Sequence, residues 1–421
     1  MSVVSITIGG NVAPPDKDAL LAKGWQKMKS IKDEVAIIGM GCIKFGENWE
    51  QTIDDMIVDA VYEAYDDAGV GPDDIQAAWW GSVWAGETAQ IAASPLKLGY
   101  IPFTHVENAC ATGSEALRGA CYAVASGVVD IALAVGAEKL KDSGFMGLPQ
   151  VRPIATWSYR VPSDTPPAEF AMMATGYFAK HGLSVEEGKR LLAQIAVKNH
   201  HNGSLNPKAH FQREITLEMV MNAPVVAYPL GLFDCCGVSD GAAAAIVTRA
   251  DIAKKFRSDP IYIKAMTICQ GPREGFLSQN YDFAHVEETK RAAVSAYKEA
   301  GIRNPREEMS CAEVHDCFTI TELTIYEDMQ FSNPGQARDD IQAGTFTLNG
   351  KLPINTDGGL KCFGHPVGAS GLRMMYEVYK QLQGKADKRQ VKNPRLGLTH
   401  NQGGAPGTAT VSVVVAGNEL G

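Results

Sequence analysis

The sequence lacks a long hydrophobic run, an excess of positive charge and any regular spacing of metal-ligating residues. No segment approaches the roughly 18 consecutive apolar residues of a membrane-spanning helix, so no membrane span is predicted. The 39 Lys and Arg residues are outnumbered by 48 Asp and Glu residues, and the formal net charge of −9 argues against a nucleic-acid-binding protein. What remains is a globular composition in a chain of 421 residues, which is too long for one simple core.

The nine cysteines do not form a disulfide or zinc pattern. No pair has C-x-x-C spacing, and the adjacent Cys235 and Cys236 are poorly placed to ligate one ion, so no metal site is expected. Residues 1–33 form an N-terminal extension without the apolar core of a secretory signal. We therefore expect a reducing, cytoplasmic setting.

The order of apolar and amphipathic segments predicts an α/β fold. Buried strands are predicted at 34–46 and 130–140, and the segment 52–68 has the pattern of an amphipathic helix that ends at Gly69. Strands and helices that alternate in this way are typical of sheets whose strands are buried on both faces.

The second half of the chain repeats the first. The sequence AYDDAGV at 64–70 returns as AYKEAGI at 296–302, and CATGSEAL at 110–117 aligns with HPVGASGL at 365–372. Two matches in the same order indicate an internal duplication.

The duplication divides the chain into a first half, 34–250, and a second half, 251–421. A segment of the first half, about 145–230, fits neither repeat and contains two helical patterns. We interpret it as an inserted loop domain, the kind of segment that often carries substrate contacts.

Cys110 and His365 occupy equivalent places in the two repeats, each at the start of a helix. Cys110 is either a buried small residue or a nucleophile, and the small residues that follow it leave its thiol accessible. His365 is either structural or the base that such a thiol needs. A pseudo-twofold relation would bring the two helix starts together and supports the pair.

Two further segments carry candidate residues. His315 and Cys317, in VHDCF, end a predicted buried strand, where the alternative is an ordinary turn with satisfied hydrogen bonds. Asn401 and Gly403 lie in THNQGGAPG, which we interpret as a loop after a short strand. Its glycines either form a plain turn or supply an N–H to an oxyanion.

Two other features are set aside. His200 and His201 precede an Asn-Gly pair and are expected to face solvent at a turn. The glycines at 39–46 lack the spacing of a dinucleotide fingerprint, so no Rossmann cofactor is predicted.

Taken together, the motifs NACATGSEAL, SDGAAA, HDCF, GGLKCFGHPVGASG and HNQGG resemble the thiolase superfamily over residues 34–417. The HDCF block is similar to the sterol-carrier-protein-type thiolases and their bacterial and archaeal relatives. The resemblance implies a five-layered αβαβα thiolase fold of two similar halves. It also implies a homodimer that acts on coenzyme A and acyl-CoA without a permanently bound cofactor.

The resemblance also implies roles for the candidate residues. Cys110 would be the nucleophile that is acylated, and His365 would activate it. His315 would replace the family's asparagine in one oxyanion hole, and the backbone N–H groups of Cys110 and Gly403 would form the other. The residues that hold the coenzyme A phosphates are not identified; Lys and Arg residues of 186–213 are candidates.

The sequence departs from ordinary thiolases at the second catalytic cysteine. Asn401, with Gln402 and Gly403, occupies the loop that carries a Cys-x-Gly motif in those enzymes. In relatives with HDCF, the cysteine of that motif takes over the acid/base role, which assigns the role to Cys317. Cys362, three residues before His365, is the other candidate.

The implied activity is thiolytic cleavage of a 3-oxoacyl-CoA or the reverse Claisen condensation, in fatty-acid or aromatic degradation, with benzoylsuccinyl-CoA among the candidate substrates. The alternatives are a CoA-ester aldolase or retro-aldolase, a condensing synthase, and a non-catalytic CoA-binding scaffold. Many such relatives act with a separate small zinc-ribbon/OB-fold subunit, in a heterotetramer or a larger complex, so a partner of this kind is also expected.

Overall fold

The computed structural model describes residues 30–86, 88–143, 165–272, 280–407 and 409–421. Most of the N-terminal extension and the start of the expected loop domain, 145–164, lie outside these ranges. The structural unit considered below is Ile31–Gly421. No helix in the described ranges combines the length and the apolar character needed to cross a membrane.

The strands are β1 Val35–Cys42, β2 Ala77–Gly81, β3 Phe103–Val106, β4 Ile131–Glu138, β5 Val225–Ala227, β6 Leu230–Gly231, β7 Gly241–Arg249, β8 Ile261–Gln270, β9 Cys311–Val314, β10 Leu396–Gly403 and β11 Thr410–Gly417. The α-helices are α1 Ile53–Ala68, α2 Gln90–Ala93, α3 Thr112–Ala125, α4 Pro166–Lys180, α5 Val185–Ser204, α6 Leu217–Met221, α7 Glu287–Ala300, α8 Pro305–Glu308, α9 Thr319–Asp328, α10 Ala337–Gln342, α11 Gly359–Phe363 and α12 Val367–Leu382.

The main sheet of the described residues has the strand order β3-β2-β4-β7-β1-β8-β11-β10-β9. Strands β3 to β1 in this order come from the first half of the chain, and β8 to β9 come from the second. The two halves meet through a short antiparallel contact in which Ala36 pairs with Tyr262 and Ile37 with Ile261. Each half therefore forms its own part of the sheet, as a duplication requires.

Helices cover both sides of each half. Along β1, Val35 and Ile37 belong to the core around α3 and α12, whereas Ala36 and Ile38 pack with α1, because successive side chains of a strand point to opposite faces. Helix α7 packs on β8 and β11 in the same way, and α3 and α12 pack on each other between the sheet halves. The predicted order of five layers, αβαβα, is confirmed.

The repeated AYxxAG motif has the same structure in both halves. Helix α1 ends at Gly69 and α7 at Gly301, both in the left-handed region with φ values of 69° and 84°. Each glycine donates its N–H to a tyrosine carbonyl four residues earlier, at Tyr65 and Tyr297. A glycine is needed here because other residues rarely adopt this conformation.

Two local predictions are wrong. The segment from Thr399 is not a loop: β10 continues to Gly403, because it pairs with β11 along its whole length. His200 does not face solvent at a turn, since α5 continues to Ser204 and His200 is buried with Nδ1 3.0 Å from the Arg213 carbonyl.

The Asn-Gly pair that suggested this turn instead lies inside the helix. Its glycine, Gly203, packs directly against Cys362, and a Cβ atom on it would lie 2.6 Å from the Cys362 Cβ. The glycine is therefore explained by close packing.

Candidate active site

The duplication brings Cys110 and His365 together. Each lies two residues before its helix, α3 for Cys110 and α12 for His365. The helices approach closely where Gly113 faces Gly368: a Cβ on Gly113 would lie 2.8 Å from the Gly368 carbonyl oxygen. The two helix starts therefore converge on one point between the sheet halves.

His315 completes the cluster. It follows β9, and one ring nitrogen of His315, one of His365 and the Cys110 Sγ all lie within 4.8 Å of one another. The two imidazole rings are nearly perpendicular, with centroids 5.3 Å apart and an interplanar angle of 85°. The structure thus brings together three of the residues predicted from the sequence.

The surroundings of His365 fix which ring nitrogen carries its proton. Ser370 Oγ donates to the Pro366 carbonyl at 2.9 Å and lies 2.8 Å from His365 Nδ1. Because the hydroxyl proton is already used, Oγ accepts from Nδ1–H, and Nε2 carries the lone pair. Nε2 is buried and has no hydrogen-bond partner among the described residues.

Burial holds the pKa of His365 well below its usual range, and the neighbouring His315 and Arg373 lower it further. The imidazole is therefore neutral at physiological pH, with a free lone pair at Nε2. A neutral imidazole beside a thiol is the form that accepts the thiol proton.

His315 is held differently. Its Nδ1 lies 3.2 Å from Asn401 Oδ1 and 3.4 Å from the backbone N–H of Gln402. One tautomer donates from Nδ1 to Asn401, and the other accepts at Nδ1 from Gln402. His315 can therefore present either a lone pair or an N–H at Nε2. Burial lowers its pKa to about 3, so it too is neutral.

Asn401 acts as a bridge in this arrangement. Its Nδ2 donates to Ser114 Oγ on α3 at 3.2 Å while Oδ1 lies against His315. The residue that stands in place of a second catalytic cysteine thus links the His315 ring to the helix that begins after Cys110.

The Cys110 thiol is half-buried. Burial raises its pKa to about 12, opposed by the backbone N–H of Gly404, which faces the sulphur. Ala109 adopts a left-handed conformation with φ 48°, uncommon for a residue other than glycine, in the turn held by the Thr112 hydroxyl. The resting centre is therefore a neutral thiol beside two neutral imidazoles.

The two adjacent glycines at the end of β10 make different contacts. Gly403 passes so close to the chain before α3 that a Cβ on it would collide with the Asn108 carbonyl. Gly404, with φ 91°, turns its amide toward Cys110. The amide that faces the thiol thus belongs to Gly404, and the predicted oxyanion role of the Gly403 N–H stays a prediction.

The two acid/base candidates lie in different places. Burial raises the pKa of the Cys317 thiol well above its usual range, and the thiols of Cys236 and Cys110 raise it further, so the three thiols are close enough to interact electrostatically. The Cys362 side chain instead packs against Gly203 of α5. Cys236, which donates its N–H to the Cys317 carbonyl at 2.8 Å, was not predicted.

Asp316, between His315 and Cys317, is a buried carboxyl that forms hydrogen bonds with two other elements. It accepts from the backbone N–H of Leu360 at 2.5 Å and from Asn199 Nδ2 at 2.8 Å. Burial, together with the nearby Glu322, raises its pKa to about 7. This carboxyl ties the chain after β9 to α11, the element directly before His365.

A cysteine at a helix start, with neutral histidines and a backbone amide beside it, is an arrangement suited to covalent catalysis by a thiol. Comparison with known proteins identifies the family. Residues 35–251 match the thiolase N-terminal domain, and residues 271–416 match the thiolase C-terminal domain-like family. The chain belongs to the thiolase family, as its motifs predicted.

Individual relatives agree with this assignment. The chain is 38% identical to an acetyl-CoA acetyltransferase of Methanothermobacter thermautotrophicus, over 90% of this chain and 99% of that protein. It is 32% identical to the benzoylsuccinyl-CoA thiolase subunit BbsB of Thauera aromatica, over 89% and 96%. A solved structure, the Ltp2-ChsH2(DUF35) aldolase, is 25% identical in sequence and superposes with a TM-score of 0.81. The match covers 92% of this chain and 99% of the aldolase chain. The chain is thus an enzyme of the thiolase and acyltransferase class.

Proposed function

We propose that this enzyme transfers an acyl group between a Cys110 thioester and coenzyme A, cleaving a 3-oxoacyl-CoA or running the reverse Claisen condensation. The observation that carries the proposal is that a ring nitrogen of His365 lies within 4.8 Å of Cys110 Sγ, while the Ser370 contact leaves Nε2 as the acceptor of that ring. A thiol with a raised pKa needs such a base at the moment of attack.

In the cleavage direction, His365 Nε2 takes the thiol proton as Cys110 Sγ attacks the keto carbon. The keto oxygen becomes an oxyanion, and the bond between the keto carbon and the α-carbon then breaks. The acyl group stays on Cys110 as a thioester, and the released enolate takes a proton to become the shorter acyl-CoA. Coenzyme A next attacks the thioester and gives its thiol proton to the group that protonated the enolate, and Cys110 leaves as a thiol with the proton that His365 had held.

Each oxyanion needs hydrogen-bond donors that are already in position. We assign one set to His315 Nε2–H and His365 Nε2–H, the latter formed when His365 takes the thiol proton. The other set is the backbone N–H groups around Cys110, those of Cys110 and Gly403 with the neighbouring Gly404. We assign the enolate proton to Cys317, because its thiol interacts electrostatically with that of Cys110, whereas the Cys362 thiol packs on α5.

The test is intact-protein mass spectrometry after mixing with acetyl-CoA or acetoacetyl-CoA. We expect an acetyl adduct on the wild type and none on Cys110→Ser. Cys269→Ser, which removes another half-buried thiol, should keep the adduct. An adduct that survives Cys110→Ser would overturn the assignment of the nucleophile.

Two classes of acyl substrate are supported by the relatives. Similarity to acetyl-CoA acetyltransferases supports acetyl and acetoacetyl groups, and similarity to the BbsB subunit supports an aromatic dicarboxylic thioester such as benzoylsuccinyl-CoA. We propose a comparison of adduct formation from both classes; the substrate that acylates Cys110 faster is the better match.

A second candidate is cleavage of a CoA ester as a retro-aldolase. Structural similarity to the Ltp2-ChsH2(DUF35) aldolase supports it. That reaction would need no thioester on Cys110, so turnover of a β-hydroxyacyl-CoA by Cys110→Ser would favour it over the thiolase proposal.

We also propose a homodimer and a small zinc-ribbon/OB-fold subunit as partners. The dimer proposal is supported by β3, which pairs with β2 along one side at the edge of the sheet and is only partly buried. Nine cysteines that are free thiols support the proposed cytoplasmic setting. The proposed domain division remains 34–250 and 251–421, with a loop domain at about 145–230.

A further inference from the structure

The centre that holds the nucleophile also has the composition of a metal site. It presents one thiol sulphur and two imidazole nitrogens, from Cys110, His315 and His365, all within 4.8 Å of one another. Thiolate and imidazole are the ligands that Zn²⁺ prefers, and three protein ligands with an open fourth position are typical of accessible zinc centres. The three residues lie far apart in the sequence, so rules based on ligand spacing do not address this set.

The lone pair of His365 Nε2 gives independent support. The atom is buried and has no hydrogen-bond partner among the described residues, although Ser370 fixes it as an acceptor. A buried acceptor without a donor costs free energy. A cation in the centre would satisfy it.

The outer contacts of both histidines also match those of metal ligands. Metal-bound histidines usually donate their other ring N–H to an oxygen, which fixes the tautomer and the ring orientation. His365 Nδ1 is paired with Ser370 Oγ at 2.8 Å, and His315 Nδ1 with Asn401 Oδ1 at 3.2 Å. Both rings can therefore direct an Nε2 lone pair to the same point.

The positive charge of the buried Arg373 is offset by its own ion pairs. The Arg373 guanidinium, which lowers the pKa of both histidines, is paired with Glu313 at 3.0 Å and with Asp357. These two carboxylates offset its charge.

We propose that Cys110, His315 and His365 bind one Zn²⁺ ion per chain, with water in the fourth position, and that the bound ion blocks acyl transfer. Binding requires the three donor atoms to contract to separations of about 3.3–3.6 Å, given Zn–N distances of about 2.0–2.1 Å and a Zn–S distance of about 2.3 Å. The Cys110 S–H bond breaks, its proton goes to solvent, and a Zn–S bond forms without any change of oxidation state. Because the ion and the acyl group require the same sulphur, each excludes the other.

The test uses Co²⁺ as a spectroscopic probe of the full-length protein, since a tetrahedral Co²⁺ ion bound to a thiolate has strong visible bands and a sulphur-to-metal band in the near ultraviolet. We expect saturation at one Co²⁺ per chain and displacement by Zn²⁺. Cys110→Ser should lose the sulphur-to-metal band, and Ser370→Ala should bind about 10- to 100-fold more weakly, as changes of outer contacts do.

Two matched controls and one chemical variant complete the design. Cys269→Ser and His201→Ala remove a half-buried thiol and an exposed imidazole outside the centre, and both should leave the spectrum unchanged. Wild-type protein alkylated at Cys110 should lose the band even if a variant folds poorly. Absence of saturable binding, or a sulphur band that persists after alkylation, would overturn the proposal. This readout does not depend on the acyl-transfer reaction, so the two proposals can fail separately.

Discussion

At the level of single residues, the histidines of the centre differ in what holds their Nδ1 atoms. His365 donates to a hydroxyl whose own proton is already used, which leaves one tautomer. His315 lies between a carbonyl oxygen and a backbone N–H, which allows two. A fixed lone pair suits a base, and a ring that can present either a lone pair or an N–H suits an oxyanion donor. These contacts support the different roles proposed for the two residues.

Single substitutions can also distinguish the two acid/base candidates, Cys317 and Cys362. We predict that Cys317→Ala keeps acetylation of Cys110 by acetyl-CoA but slows cleavage of acetoacetyl-CoA by about 10²- to 10⁴-fold, the usual contribution of a general acid. The physical reason is that only the carbon–carbon step needs a proton delivered to the enolate. Mass spectrometry measures the first reaction, and absorbance of the 3-oxoacyl-CoA measures the second.

Cys362→Ala is the matched control, since this thiol packs on α5. It should change the cleavage rate by only a few-fold. The reverse pattern, with Cys362→Ala inactive in cleavage and Cys317→Ala active, would transfer the role to Cys362.

Sequence reasoning found Cys110 and His365 because both open a repeated helix, and a repeat can be read without coordinates. Ser370, Gly404 and Cys236 were missed. A serine one turn into a helix, the second glycine of a pair and a cysteine beside another cysteine have no distinctive pattern. Their significance comes from contacts that form only in the folded chain.

At the level of elements, the site depends on the close approach of α3 and α12. A Cβ on Gly371 would crowd the Ser114 backbone on α3 and would lie 2.5 Å from Asn401 Nδ2. We predict that Gly371→Ala lowers the free energy of unfolding by about 1–3 kcal/mol, as overpacking does. It should also slow Cys110 acylation, because Cys110 and His365 lie at the starts of these helices.

Gly99→Ala is the matched control, since a Cβ there meets no atom within 4 Å. Denaturant unfolding measures the stability of both variants, and adduct formation measures their reactivity. If Gly371→Ala is as stable and as reactive as Gly99→Ala, the helix contact does not position the site.

Elements were predicted best where a local pattern and the tertiary fold agree. The helix that ends at Gly69 was recognised because amphipathic spacing and a C-terminal glycine indicate the same boundary. The end of β10 was not, because its glycines favour a loop and only pairing with β11 extends the strand. The Asn-Gly pair predicted a turn that does not form, because the contact of Gly203 with Cys362 overrides the preference of this pair for a turn.

At the level of the whole molecule, buried ionisable groups make opposing contributions to the pH dependence of stability. Burial lowers the pKa of the buried histidines 200, 315, 365 and 400. These groups stay neutral in the folded state but gain protons in the unfolded state below pH about 6.5, so they reduce stability as the pH falls. Burial raises the pKa of the carboxyls of residues 138, 316 and 328. These keep their protons in the folded state where the unfolded chain has lost them, so they increase stability as the pH falls.

Replacing one of the buried histidines should therefore change the pH dependence of the unfolding free energy in a predictable direction. The pKa of His200 is lowered to about 4 by burial, and the residue lies on α5 outside the cysteine–histidine centre. We predict that His200→Gln becomes more stable relative to the wild type as the pH falls from about 6.5 to about 4.5. The difference in unfolding free energy should change by about 2 kcal/mol in total over this range, since the limiting slope of about 1.4 kcal/mol per pH unit is approached only between the two pKa values. Denaturant unfolding of both proteins at several pH values measures this difference. A difference that stays constant over the range would mean that His200 gains its proton in the folded state as readily as in the unfolded chain.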